Sequence, residues 1–271
     1  MKLAKIRFGI DADMYFIIEL LLMFFIFSFF GWVIETIYCS ALQKRFVHRG
    51  FLNGPVCPIY GTGALAVGIP LSYIKINPLF DIFLIFVLGV VICSVVEYLI
   101  GFALEKIFKM KLWDYSDYPL NLHGRIWLGY SLGWGVMSLF LVYLINPGIR
   151  KLLTYIPFNF KVILIVFVSA LFIADILFTI FNIQAISKKL AELKGLFSRL
   201  QQKFKLAGEQ GSDFNDDFGN RSDEELDNYR KLAQKLSKRR ILRAFPHFTL
   251  KKFSEQLRLI KNKIKIERKK K

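Results

Sequence analysis

Three acidic side chains sit in stretches where water-soluble chemistry gives no reason for them. Glu35, Glu97 and Asp175 each lie inside an apolar run long enough to cross a bilayer. A carboxylate at membrane depth costs roughly 2.5–3.5 kcal/mol on insertion scales, so it faces the bundle interior and takes a partner. Arg49 and Arg125 close the basic loops that follow the first two carboxylates, within reach of Glu35 and Glu97. Two readings fit. The five residues can line a polar chamber for a substrate or protons. They can also form salt bridges that pin two hairpins, because an arginine near a membrane face snorkels and pairs at low cost. Asp175, nearer mid-membrane, reads first as a hydrogen-bonding residue in helix packing.

A second candidate is a broken helix. Arg49-Gly50-Phe51-Leu52-Asn53-Gly54-Pro55 reads as a fixed turn, with Gly50 and Gly54 free to take positive φ and Pro55 suited to open a helix. Residues 51–74 also hold Pro58, Gly61, Gly63, Gly68 and Pro70. Broken helices at membrane depth place helix-end dipoles at binding sites. Asn53, Gly54, Pro55, Pro58, Tyr60 and Gly61 therefore point to a site, or else to a kink that lets neighbouring helices pack closely. A third candidate is the loop 105–125, with Trp113, Asp114, Tyr115, Asn121 and His123. It suits docking of a cytoplasmic ATPase, or an interfacial helix lying on the headgroups.

Other chemistries lack their signatures. His48, His123 and the three cysteines (Cys39, Cys57, Cys93) show no C-x-x-C or H-E-x-x-H spacing, so no metal site is expected. There is no G-x-S-x-G elbow and no G-x-x-x-x-G-K-[ST] phosphate loop. No cofactor is expected. A membrane-embedded lipid-modifying enzyme using Glu35 with His48 or His123 is the weakest reading.

The elements that carry these residues follow from composition. The 271 residues are 54% hydrophobic, yet the formal net charge is +17. Residues 1–183 hold 14 Lys and Arg against 10 Asp and Glu, and residues 184–271 hold 24 against 11. That asymmetry excludes a single water-soluble globule, a disulfide scaffold and a largely disordered chain. It predicts an all-α, polytopic helical membrane bundle (1–183) followed by a basic amphipathic helical tail (184–271). Spans are expected at 14–42, 51–74, 82–103, 126–145 and 162–183, the second one broken. Lys and Arg counts favour a cytoplasmic C-terminus and a multi-pass protein of the cell membrane. They do so equally whether 51–74 spans or re-enters. A faint tandem repeat leans toward five spans: Glu35, a loop with His48-Arg49-Gly50 and a Gly-rich helix, then Glu97, a loop with His123-Gly124-Arg125 and a Gly-rich helix.

Several blocks resemble a bacterial membrane family catalogued as putative ABC-transporter type IV permeases. They are Phe30-Gly31-Trp32-Val33-Ile34-Glu35-Thr36, the Arg49 to Pro55 turn, Pro58-Ile59-Tyr60-Gly61, Trp113-Asp114-Tyr115-Ser116, Asn121-Leu122-His123-Gly124-Arg125 and Trp134-Gly135. The resemblance covers roughly residues 15–183. It implies a permease-like subunit working with a separate ATPase, without naming a substrate. The competing expectation is a non-transporting anchor or regulator that acts through its tail.

In the tail, Ile186, Leu190, Leu193, Phe197, Leu200 and Phe204 form a heptad seam continuing the last span. Ser222 with Glu225 reads as a capping box for a helix carrying Leu226, Tyr229, Ala233 and Leu236, ended by Pro246. Leu250, Phe253, Leu257, Ile260 and Ile264 suggest a last helix. The polybasic end (Lys261, Lys263, Lys265, Arg268 to Lys271) favours anionic inner-leaflet lipid over nucleic acid. The heptads allow a homo-oligomer.

Overall fold

The computed structural model describes residues 12–210, 227–229, 231–237, 239–245, 249–250 and 253. They fall into two compact units, one of residues 1–104 with 114–177 and one of residues 105–113 with 178–271. Among the described residues, four helical runs are long and apolar enough to cross a membrane: Asp13–Gln43, Pro78–Phe108, Leu128–Thr154 and Phe158–Arg199.

In the first unit, α1 (Ala12–Gln43) is long and apolar, with Asp13, Glu19 and Glu35 as its only charged residues. Residues 51–74 depart from the expected fifth span. Their helical part is α2 (Pro58–Gly68), 11 residues or about 16 Å, followed by a 3-10 turn over Leu71–Tyr73. The apolar core of a bilayer is about 30 Å thick, so α2 alone does not cross it. Pro55 does not open the helix. The Val56 amide donates to the Gly54 carbonyl at 2.9 Å in a local turn, and α2 starts at Pro58 with Cys57 before it. Proline at the first helical position loses no hydrogen bond, because the amide there has no intrahelical partner.

The whole stretch 46–68 nevertheless runs back along α1. The Val47 amide donates to Ser40 Oγ (2.9 Å), the Arg49 amide to Thr36 Oγ1 (3.3 Å) and the Cys57 amide to the Ser28 carbonyl (3.0 Å). Ala64 and Leu65 then pack on the cluster of Ile18, Leu22, Met23 and Phe27. A non-helical half and a helical half together make the returning segment of the first hairpin.

The second hairpin pairs α3 (Pro78–Phe108) with α4 (Leu128–Phe140), which continues through a π turn (Leu141–Ile145) into α5 (Asn146–Thr154). Pro147 explains the wide turn: its ring clashes with the carbonyl four residues back, and a π turn relieves that crowding. Helix α6 begins at Phe158 and runs to Gln210.

The two hairpins share contacts at fixed offsets. A Cβ at Gly61 would meet Phe24 and Ser28, and one at Gly135 would meet Phe86 and Val90. Phe86 and Val90 lie 62 positions after Phe24 and Ser28, as Glu97 does after Glu35. Gly135 lies 74 positions after Gly61, as Trp134 does after Tyr60 and Gly124 after Gly50. Gly50 and Gly124 both have positive φ, +115° and +67°.

In the second unit, Ile186, Leu190 and Leu193 of the expected seam are buried and Phe197 is half-buried, while the side chains of Leu200 and Phe204 lie outside the described ones. Residues 227–229 and 231–237 are helical, with Ala233 and Leu236 buried and Tyr229 beside Phe197 (6.1 Å between rings). That helix does not run to Pro246: Arg239 is extended (φ −64°, ψ 133°), and a five-residue helix, Arg240–Ala244, follows. Leu250 is not helical either. With Thr249 it pairs antiparallel to Met110–Lys111, in the register Met110 to Leu250 and Lys111 to Thr249. The capping box and the polybasic end lie outside the described residues.

Candidate functional site

Arg49 reaches Glu35. Its Nε lies 2.9 Å from Glu35 Oε1, with the two side chains 17% and 20% exposed. The positive φ at Gly50 turns the chain just after Arg49 so that its guanidinium folds back onto α1. Cys57 Sγ is 3.9 Å from the other carboxylate oxygen, and the half-buried Tyr60 lies close to the same carboxylate. Glu35 is thus ion-paired with a thiol beside it, and the pairing is what makes a partly buried charge tolerable.

Glu97 differs. It is 6% exposed and accepts from Trp134 Nε1 (3.1 Å) and the Tyr115 hydroxyl (3.4 Å), both neutral donors. Arg125 is not its partner. It turns to Tyr98, donating from Nη1 to the hydroxyl at 3.1 Å and lying 5.0 Å over that ring and 5.4 Å over Phe102. Tyr98 follows Glu97 by one residue and so faces about 100° away around the helix. A guanidinium is weakly hydrated and stacks well on aromatic faces, so the aromatic side of α3 holds it. Burial and the Glu97 carboxylate push the Tyr115 hydroxyl well above its ordinary range, so it stays a proton donor at neutral pH.

The two carboxylates are joined through an aromatic pair. Tyr60, beside Glu35, meets Trp134, bonded to Glu97, edge to face at 5.7 Å. Asp175 of α6 supports the first side. Its Oδ1 accepts the Asn53 amide at 3.0 Å and its Oδ2 the Gly54 amide at 2.8 Å. A Cβ on Gly54 would sit 3.0 Å from Asp175 Oδ2, which suits glycine there. Asp175 therefore supplies acceptors to backbone that has left the helix, a requirement for irregular chain at membrane depth. Of the broken-helix candidates, Asn53 and Gly54 meet Asp175, Tyr60 meets Glu35, Gly61 packs on α1, and Pro55 and Pro58 shape the chain without facing a carboxylate.

The loop holds no interfacial helix. Asn121–Leu122 and Ile126–Trp127 pair antiparallel around a turn in which His123 and Gly124 have positive φ. Asn121 organises it, accepting the Gly124 amide (2.9 Å) and donating to the Tyr118 carbonyl (2.7 Å). Asp114 accepts the Ser116 amide at 3.1 Å, the Tyr115 amide donates to the Gly124 carbonyl at 2.8 Å, and His123 Nδ1 lies 3.1 Å from the Tyr98 hydroxyl. Trp113 belongs to the second unit. Asp114, Tyr115, Asn121 and His123 thus fix the loop's own shape.

One cluster escaped the sequence reading. Lys161, with a fully buried side chain, pairs with Glu19 at 2.6 Å, donates to the Tyr15 hydroxyl at 3.0 Å and sits 4.7 Å over the Tyr15 ring. By sequence Lys161 is an ordinary flanking cation of the last span. Only the side-by-side placement of α1 and α6 shows that it latches them. Among the described residues no group of three or more His, Cys, Asp or Glu is placed to hold a metal ion.

A family model described as "Putative ABC-transporter type IV" matches residues 22–180, more than half of the chain, and the chain belongs to that family. The match contains both hairpins, Glu35, Glu97, Asp175 and the two loop arginines. Searches of curated proteins and of solved structures returned no match.

Proposed function

We propose that the chain is the permease-like membrane subunit of an ABC-type transporter and works with a separate ATPase. The observation that carries the reading is the polar strip Glu35–Tyr60–Trp134–Glu97, which joins two hairpins beside a broken segment held by Asp175. Family membership supports a transporter-related membrane protein. In this reading 46–68 completes a fifth crossing as a half-irregular, half-helical element. Residues 1–183 form the membrane domain, and the tail lies in the cytoplasm. The loop 114–127, shaped by its own hydrogen bonds, is the docking element. The tail contacts anionic lipid: Lys231 and Lys235 are exposed on a helix whose Ala233 and Leu236 are buried.

Purification of the intact complex from its own membrane tests the assignment. A co-purifying ATPase whose turnover falls with Tyr115→Ala or Asn121→Ala is expected. Recovery of the chain with no ATPase, under conditions that preserve known complexes, would sink it. A cysteine at Lys44 should resist an impermeant label applied from outside.

A second reading is a membrane anchor that acts through its tail. The buried Ile186, Leu190, Leu193, Leu236 and Leu242 support it, since they give the second unit apolar packing of its own. Full complementation by the tail on a foreign membrane anchor would favour it.

A further inference from the structure

The matching offsets make Glu35 and Glu97 equivalent positions of two hairpins, yet only one has a cation. Glu35 is neutralised by Arg49 at 2.9 Å. Glu97 is more deeply buried, and both of its hydrogen bonds come from neutral groups. An ionised carboxylate without a counter-charge in low dielectric is costly, and a proton is the one cation that needs no cavity to neutralise it.

We propose that Glu97 is a reversible proton-binding site whose protonation state is passed to the loop 114–127 through Tyr115. The connection is direct. The Tyr115 hydroxyl donates to Glu97, and its backbone amide donates to Gly124 at the turn of the loop hairpin. With the carboxylate ionised, the hydroxyl bond is charge-assisted and holds the loop against α3. With the carboxyl protonated, that bond loses its charge and about half its strength. The titratable groups facing Glu97 are Tyr115 of the loop, Tyr130 of α4 and Cys93 on its own helix. Beyond the Trp134–Tyr60 ring contact stands the Glu35–Arg49 pair. None of these brings an unpaired positive charge to Glu97. The proposal goes beyond the transport reading and does not require the ATPase.

Infrared difference spectra of the full chain in detergent, between mildly acidic and mildly alkaline buffer, test it. A protonated-carboxyl band is expected that disappears in Glu97→Gln, remains in Glu35→Gln and changes position in Trp134→Phe and Tyr115→Phe, each of which removes one donor. No pH-dependent carboxyl band, or a band that persists in Glu97→Gln, overturns the proposal. Should Glu97→Gln fail to fold, the two donor variants decide: a band unmoved in both overturns it. A missing ATPase with the band intact refutes the transport reading and leaves the proton site standing.

Discussion

The two hairpins share a plan and differ in how each neutralises its glutamate. In both, a long helix bearing Glu35 or Glu97 is met by a returning segment whose glycine, Gly61 or Gly135, lies against a phenylalanine one turn before a smaller residue. In both, the aromatic residue before that glycine, Tyr60 or Trp134, stands beside the glutamate, and Trp134 donates to Glu97. The first hairpin keeps its arginine on the carboxylate and gives up helix over 46–57. The second keeps a continuous helix from Leu128 and sends its arginine to Tyr98. A common framework thus carries an ion-paired carboxylate on one side and one without a cation on the other. A charge fixed in place suits support, and a charge that can be removed suits switching.

The largest expected effect tests the shared framework. Leucine at Gly61 or Gly135 should cost about 3 kcal/mol or more, because each closes on a packed helix. Leucine at Gly63 or Gly133, where nothing lies within 4 Å, should be nearly neutral. Thermal unfolding in detergent reads the difference, and equal losses at all four positions would dissolve the equivalence.

Next come tests of the divergence. Arg49→Gln should cost about 2 kcal/mol by leaving a half-buried carboxylate without its cation. Adding Glu35→Gln should recover part of that loss, whereas a double variant no better than Arg49→Gln alone would deny the coupling. Asp175→Leu should cost on the order of 1–3 kcal/mol, because it removes the acceptor of the Asn53 and Gly54 amides. Faster proteolysis within 46–57 would report the same lesion. For its contacts with Tyr98 and Phe102 alone, Arg125→Gln should cost about 1 kcal/mol. A loss as large as that of Arg49→Gln would restore the symmetric picture.

The long helices were legible in the sequence, because an apolar run of more than 20 residues has few alternatives. The broken segment was legible from its prolines and glycines, but its form was not. Pro55 and Pro58 are equally able to open a helix, and only the Cys57–Ser28 contact selects the second. Glu35 and Arg49 found each other because a short loop brings them onto one face. Arg125 did not find Glu97, because sequence spacing cannot rank a carboxylate against two aromatic faces one residue further on. Asp175 was foreseen as a hydrogen bonder, but its partners are backbone amides, and those carry no side-chain signature. In the tail, the buried seam of Ile186, Leu190 and Leu193 followed its heptad spacing. The break at Arg239 and the strand at Leu250 followed from contacts and could not be read from periodicity.

The Asp175 bond also has a meaning in time. The Gly54 amide and its acceptor are 121 residues apart in the chain. At ribosomal rates of roughly 5–20 residues per second, Asp175 is made some ten seconds or so after Gly54. Until then the non-helical stretch of the first hairpin lacks the acceptor that suits it to lipid. Membrane insertion of this chain is therefore expected to finish from its end backwards: the last helix, on arrival, fixes a segment that the ribosome made early. Nascent chains stopped before Asp175 should stay sensitive to protease within 46–57, and chains stopped well beyond it should not.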